Sequence, residues 1–339
     1  MQLSDFDFPF DPLLVALQPV NPRDRARLLL LDKPTQQLVH HHVADLPALL
    51  EPGDLLVLND TKVLAARVSG IKQPVGTPVE VLFVRDLGEG RWEIMVKGTF
   101  RIGQVIEFNQ HARATIVKRD VTGTEVMIAS PESVTQLFET QGVMPLPPYI
   151  KRVATPDDRL WYQTVFAKHV GAIAAPTAGL HFTDELFQRL TAAEINVATV
   201  TLHVGPGTFK PVTAERIEDH RMGAETFTLT EETANAIAQT KRAGGRVVAV
   251  GTTVVRTLET IVQEQGEIIP MSGESRLFIT PGFQFNVVDA LMTNFHLPRT
   301  TLLMLVSAFA GVDPIRKVYA EAVKERYRFY SYGDAMLIR

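Results

Sequence analysis

The sequence predicts a mixed α/β main domain built from both ends of the chain, with an antiparallel β-barrel inserted into it. Three observations carry this. Between Gly70 and about Ser130 the chain breaks into short runs that alternate with a period of two, about ten residues apart. On either side, solidly apolar runs are interleaved with stretches of helical spacing. Gly70 and the proline-rich Met144–Pro148 mark the edges. The insert is therefore expected over 70–150, and the discontinuous α/β domain over 1–69 and 151–339.

Taken in order, Asp54–Leu58 (D-L-L-V-L) has the unbroken apolar character of a buried strand. The insert offers P-V-E-V-L-F-V at 78–84, R-W-E-I-M-V at 91–96, Q-V-I-E-F at 104–108, A-T-I-V at 114–117 and E-V-M-I at 125–128. Turn signals at Gly88–Gly90, Gly103 and Gly123 separate them, the spacing of a small barrel or sandwich. A helix-like S-V-T-Q-L-F-E-T-Q-G then ends at Gly142. Val197–Leu202 and Arg246–Val250 read as further buried strands, and Asp184–Ala193, Glu231–Arg242 and Pro314–Tyr327 as helices. Thr230 and Gly244–Gly245 supply start and stop signals for the second helix.

The chain has 339 residues, with 34 Lys and Arg against 38 Asp and Glu. A net charge of −4 excludes a generally cationic nucleic-acid coat, and residues 68–150 alone net −1. Hydrophobic residues at 45% and charged residues at 21% exclude a disordered chain. With no Cys, disulfides, iron–sulfur clusters, thiolate metal sites and Cys nucleophiles are excluded, and the chemistry falls to oxygen and nitrogen groups. Asp5, Asp7 and Asp11 precede the first basic residue, Arg23, which is the wrong sign for a signal peptide. The longest apolar run, Leu302–Ala310, is interrupted by Ser307 and is far short of the ~20 residues a membrane span needs. A cytoplasmic protein with no membrane partner is expected.

Candidate chemistry concentrates in Gly-, Thr- and His-rich turns between 171 and 300. His181 lies in A-A-P-T-A-G-L-H-F, His203 in T-L-H-V-G-P-G-T-F and His296 in T-N-F-H-L-P. Small or β-branched neighbours give each imidazole a close approach to backbone or ligand, and its pKa is easily moved across neutrality. Each is equally compatible with a packed structural histidine. No H-E-x-x-H or comparable spacing marks a metal site, and none is expected. His40–His42 cannot all point one way from a strand and read as surface. A-V-G-T-T-V-V-R-T-L-E (249–259) reads as strand, tight turn and helix start. Its hydroxyls and N–H groups suit an anion or a ribose, and Arg256 and Glu259 share a face at i, i+3. N-D-T-K-V-L-A-A-R (59–67) follows a buried strand, where Asp60 and Thr61 suit a turn cap. In P-L-P-P-Y-I-K-R (145–152), Tyr149, Lys151 and Arg152 combine an aromatic with two cations.

Together with R-L-L-L-L-D (27–32), G-D-L-L-V-L-N-D-T-K-V (53–63), Y-Q-T-V-F-A-K (162–168), V-G-T-T-V-V-R and S-Y-G-D-A-M-L, these strings run collinearly along the chain. In that order they resemble the S-adenosylmethionine:tRNA ribosyltransferase-isomerases of queuosine biosynthesis. The resemblance implies a discontinuous α/β domain with an inserted barrel. It also implies transfer and isomerisation of the ribose of S-adenosylmethionine onto the 7-aminomethyl group of a 7-deazaguanine at the tRNA wobble position. The products would be epoxyqueuosine-tRNA, adenine and methionine. S-Adenosylmethionine is then a co-substrate, no cofactor is tightly bound, the partner is precursor tRNA, and a monomer is the default. Where the family usually reads H-x-M-H-x-E, this chain has His220, Met222, Gly223 and Glu225, so the second His is missing and is expected to be dispensable.

On this reading His181, His203 and His296, with Glu225, are the proton-transfer candidates. Thr252, Thr253 and Arg256 would hold the ribose or the methionine carboxylate, with Glu259 orienting the Arg. Tyr149, Lys151 and Arg152 would meet the tRNA. Two rivals remain: a non-catalytic RNA binder, and a methyltransferase using the same co-substrate.

Overall fold

The computed structural model describes residues 1–121, 123–130, 133–205, 212 and 214–339. A nine-stranded sheet forms the main body, in the spatial order Met271–Ser275, Glu225–Leu229, Asn196–Leu202, Leu55–Asn59, Val247–Val250, Ala290–Asn294, Ala335–Ile338, Arg27–Asp32 and Gln37–His42. The four central strands from Asn196–Leu202 to Ala290–Asn294 are mutually parallel; the flanking pairings are antiparallel except that Arg27–Asp32 runs parallel to Ala335–Ile338.

These parallel strands read as unbroken apolar runs because both faces are covered. Leu55, Val57, Val247, Ala249 and Leu291 pack beneath the helices Thr252–Gln265, Thr301–Ala310 and Val312–Lys324. Leu56, Leu58, Val248, Val250 and Met292 face the opposite layer, with Leu186 and Leu190 of the helix Asp184–Ala192. At the other end of two neighbouring strands, Asp54 accepts from the Arg246 main chain at 3.1 Å and from its guanidinium Nη2 at 2.6 Å. That charged clamp fixes where both strands begin.

The apolar run 302–310 forms the helix Thr301–Ala310, packed into the core through Leu303–Val306 and Phe309, and no helix among the described residues is long and apolar enough to cross a membrane. The C-terminal helix starts at Val312 rather than Pro314, because proline in a first turn gives up only an N–H that has no helical acceptor. It ends at Lys324, ahead of Arg326 with φ +54°.

The insert closes into a six-stranded barrel, ordered Gly123–Ala129, Arg91–Val96, Thr77–Gly88, Arg67–Lys72, Val105–Glu107 and Arg113–Asp120. Its strand Arg67–Lys72 spans the edge that the sequence places at Gly70. Gly70 is a strand interior, not a turn: a Cβ there would lie 2.8 Å from Ile106 and 2.9 Å from Phe108, so glycine permits the close approach of the facing strand. The helix Val134–Gln141 caps one end, with the Phe138 ring centroid 5.1 Å from Phe83 and 5.6 Å from Trp92.

Candidate functional site

The carboxyl ends of the parallel strands meet at Asn59, Leu202 and Val250, the edge where open α/β sheets expose ligand sites. Asn59 is almost fully buried. Its Nδ2 donates to the Leu202 carbonyl at 2.9 Å, and its Oδ1 accepts from Leu202 N at 3.0 Å and Thr61 N at 3.2 Å. Nδ2 also lies 3.3 Å from Thr253 Oγ1, at the start of the next helix. Asp60 accepts from the Thr201 hydroxyl at 2.6 Å, and its carbonyl from Lys168 N at 2.8 Å. Thr61–Val63 then pairs in parallel with His169–Ala172 as a two-stranded ribbon leading toward the barrel.

His203 emerges just beyond Leu202. Its Nδ1 is 2.8 Å from Thr61 Oγ1, and its ring lies flat on the backbone of Gly171, where a Cβ would come within 2.7–2.9 Å of three ring atoms. Burial lowers its pKa, neighbouring His169 lowers it further, and Asp60 opposes both. The imidazole is therefore neutral at neutral pH.

His203, Gly171, Gly205 and Glu225 form one wall of a cleft of about 700 Å³; Val84, Arg85, Trp92 and Phe138 of the insert form the other. Glu225 is buried, forms an ion pair with Arg256 Nη1 and accepts from Gly205 N at 3.0 Å. Met222 and Gly223 also line this cleft, and a Cβ at Gly223 would meet nothing within 4 Å. The position at which the H-x-M-H-x-E pattern has its second His thus borders open space. Of the His203 string, residues 206–209 lie outside the described residues.

Several sequence-derived roles change. Arg256 is not free to clamp a substrate carboxylate: besides Glu225, its Nε donates to the Leu277 carbonyl at 3.2 Å and its Nη2 to that of Ser275 at 3.4 Å. Glu259 does not orient it. Wholly buried, that carboxylate instead accepts three main-chain N–H groups, from Asn286, Val287 and Val288, at 2.9–3.1 Å. A buried charge finds its donors wherever the fold supplies them, and sequence spacing does not reveal a turn 27 residues away. Thr252 and Thr253 are buried at the helix start, and Thr253 meets Asn59.

Of the three imidazoles, His203 alone lines this cleft. His181 is 3% exposed, with its Nε2 against the Asn294 amide at 3.3 Å. His296 is 5% exposed; Thr293 lies 3.4 Å from its Nε2, and its main-chain N–H donates to Tyr319 Oη at 3.0 Å. Burial pushes His181 down to about 4 and His296 to about 3, so both are neutral at neutral pH in this conformation.

The expected tRNA patch dissolves likewise. Arg152 forms a bidentate pair with wholly buried Asp158 at 2.6 and 2.7 Å and donates to the Leu17 carbonyl at 2.9 Å. Tyr149 hydrogen-bonds Ser331 at 2.6 Å and stands edge-on to Tyr330. Of the three, Lys151 alone is exposed. Sequence reasoning passed over Asn59, Asp60, Thr61 and Gly171 as site residues. For the first three the signal was present in the N-D-T-K string, whose side chains serve neighbouring strands rather than a local turn; nothing in the sequence around Gly171 marked it.

The family described as queuosine biosynthesis protein matches residues 3–338 of this chain. Proteins named S-adenosylmethionine:tRNA ribosyltransferase-isomerase from Desulforamulus reducens, Pelobacter propionicus and Thermotoga maritima are each 47% identical, over the full length of both chains. A crystal structure of the S-adenosylmethionine tRNA ribosyltransferase from Thermotoga maritima is similar at a TM-score of 0.59 and 38% identity, covering 99% of this chain and 100% of that one.

The buried histidines make a stability prediction. In the unfolded chain both titrate near ~6.5. Their folded pKa values lie lower, so below that pH the unfolded state binds more protons. The stability they contribute is complete above about 6.5 and declines as the pH falls toward their folded values. Thermal melts at steps from about pH 7 to about pH 4 will show a falling midpoint, and His181→Gln or His296→Gln will flatten the decline. An equal slope in wild type and both variants rules this out.

Proposed function

This chain belongs to the queuosine biosynthesis protein family, and from that premise we infer that it is an S-adenosylmethionine:tRNA ribosyltransferase-isomerase. It transfers and isomerises the ribose of S-adenosylmethionine onto the 7-aminomethyl group of 7-deazaguanine in tRNA. Epoxyqueuosine-tRNA is formed, and adenine and methionine are released. We take 1–69 and 151–339 as the catalytic unit and 70–150 as the inserted domain, with the cleft between them as the reaction site.

The observation that carries the site assignment is the pairing of a neutral imidazole with a buried carboxylate on one wall of that cleft, His203 and Glu225. The sulfonium acidifies the adjacent ribose C5′–H, and a neutral imidazole within reach can remove that proton. Adenine departs from C1′ once one of its nitrogens is protonated. The substrate amine bonds to C1′, and ring rearrangement forms the epoxide as methionine leaves. We assign His203 as the base. Glu225, held by Arg256 and Gly205, supplies fixed negative charge beside the cationic sulfonium. His181 and His296 keep a role only as structural groups of the strand ends behind the cleft.

For tRNA we propose the exposed face of the Thr61–Val63 ribbon. Lys62 is paired in register with Val170, which lines the cleft, so its side chain leaves the ribbon on the same face. Lys62 and Lys168 are both exposed there, and Lys151 is exposed elsewhere on the body. Phosphates bound at this rim would leave the extruded base directed into the cleft.

Incubation with S-adenosylmethionine and precursor tRNA, followed by mass spectrometry of nucleosides and small molecules, tests the activity. Adenine, methionine and epoxyqueuosine are expected; S-adenosylhomocysteine would indicate a methyltransferase, and no turnover a pure RNA binder. His203→Ala is expected to lower turnover by ~10²-fold or more. Because the His203 pKa is depressed, the acid limb of the wild-type rate profile should fall below the ~6.5 of an ordinary histidine; a limb above that value contradicts the assignment. Lys62→Ala with Lys168→Ala should reduce the slope of log affinity against log salt by roughly 1 per lysine, and an unchanged slope moves the tRNA contact elsewhere.

A further inference from the structure

We propose that Thr61 is a positioning residue that sets the tautomer of His203, holding its proton on Nδ1 and leaving the Nε2 lone pair for the substrate. The proposal rests on the assignment of His203 as the base. Its own support is geometric. Thr61 is fully buried, and its Oγ1 lies 2.8 Å from His203 Nδ1. The same oxygen faces the main-chain carbonyl of His169 at 3.5 Å, an acceptor that can take the hydroxyl proton but can donate nothing back. With the hydroxyl proton directed to that carbonyl, a Thr61 lone pair accepts Nδ1–H.

The opposite constraint comes from Gly171. Its bare backbone lies against Cε1, Nδ1 and Nε2 of the ring, so the imidazole cannot tilt toward the ribbon. Thr61 and Gly171 come from the two paired strands of one ribbon. That ribbon therefore supplies both the hydrogen bond and the flat surface that orient a side chain belonging to a third strand. The arrangement follows the general rule that the nitrogen presented to a substrate is decided by the hydrogen bond made by the other one. The charged and titratable neighbours are His169 and Asp60, together with Glu225 on the same cleft wall. Among the described residues the hydrogen bond at Nδ1 is made with the Thr61 hydroxyl, the group proposed to decide the tautomer.

The full-length protein labelled with ¹⁵N-histidine tests this directly. Long-range ¹H–¹⁵N correlation at about pH 7.5 distinguishes Nδ1–H from Nε2–H, and His203→Gln identifies the His203 signals by their loss. Wild-type His203 is expected as Nδ1–H. Thr61→Val keeps the β-branched shape and removes the hydroxyl; it should move the signal toward Nε2–H and lower kcat roughly 10- to 100-fold with little change in KM. Thr61→Ser should restore both the signal and the rate. A wild-type proton on Nε2 overturns the proposal without recourse to any variant, as does a Thr61→Val signal that does not move. A signal that moves with no change in kcat leaves the hydrogen bond intact as a fact but removes His203 as the base, so the failure of that underlying assignment is recognisable by itself.

Discussion

The amide of Asn59 is the tie on which the site depends. Two parallel strands end side by side, and at such an edge the main-chain groups run out of ladder partners. Asn59 completes the ladder with its side chain, binding both the N–H and the carbonyl of Leu202 while also accepting from Thr61. One planar group thereby fixes where the Asn196–Leu202 strand releases the chain, where Thr61 begins its new direction, and how far the Thr253 helix start sits from both. An amide with less than 2% exposure has no water to fall back on, and each bond lost would leave a donor or acceptor unsatisfied at a cost of ~1–3 kcal/mol. The position of His203 relative to the cleft is accordingly set by rigid strand ends rather than by a mobile loop.

Buried charge is handled the same way throughout the body. Asp54 with Arg246, Asp158 with Arg152, and Glu225 with Arg256 each place a carboxylate of low exposure against a guanidinium that has further carbonyl or carboxylate partners. Removing one partner of such a pair strands the other in a poor dielectric, at ~3–5 kcal/mol. Two of the three clamp chain segments and stand outside the cleft. The third is different because Glu225, while paired with Arg256, also borders the cleft.

How much of this was legible follows from range. Alternating and unbroken apolar patterns are local, so the barrel strand Arg91–Val96 and the helix Glu231–Arg242 are found at the residues their periodicity indicated. The β-insert, the buried strands of the mixed α/β body and the family resemblance all rest on information contained in short strings. The site does not. Arg256 and Glu259 look like partners because they are three apart on a helix, yet Glu225 and the 286–288 turn capture them. The His181 and His296 strings have the same Gly- and Thr-rich character as that of His203, but a small neighbour serves equally to admit a ligand or to pack a core. What separates them is enclosure by Asn294 and Tyr319, residues distant in sequence. Arg152 looked like a phosphate ligand for want of knowing that Asp158 lies beneath it.

The placement of the barrel gains meaning from the same segment that holds His203. Thr61 touches His203, Lys62 is exposed and paired with the cleft-lining Val170, Leu64 lines the cleft, and by Arg67 the chain has entered the first barrel strand. Seven residues thus connect the group that orients the imidazole to the wall that faces it. On the far side of the insert the connection is equally short in function, if not in length: Phe138 lines the cleft and packs on Trp92, and Arg159 returns to the body while donating to the Gly142 carbonyl at 2.7 Å. A barrel attached through two such anchored crossings is not a passenger on the α/β body. Its attachment sets the width of the cleft, and on the proposed reading a nucleobase would fit between the aromatic edge of the insert and the imidazole of the opposite wall.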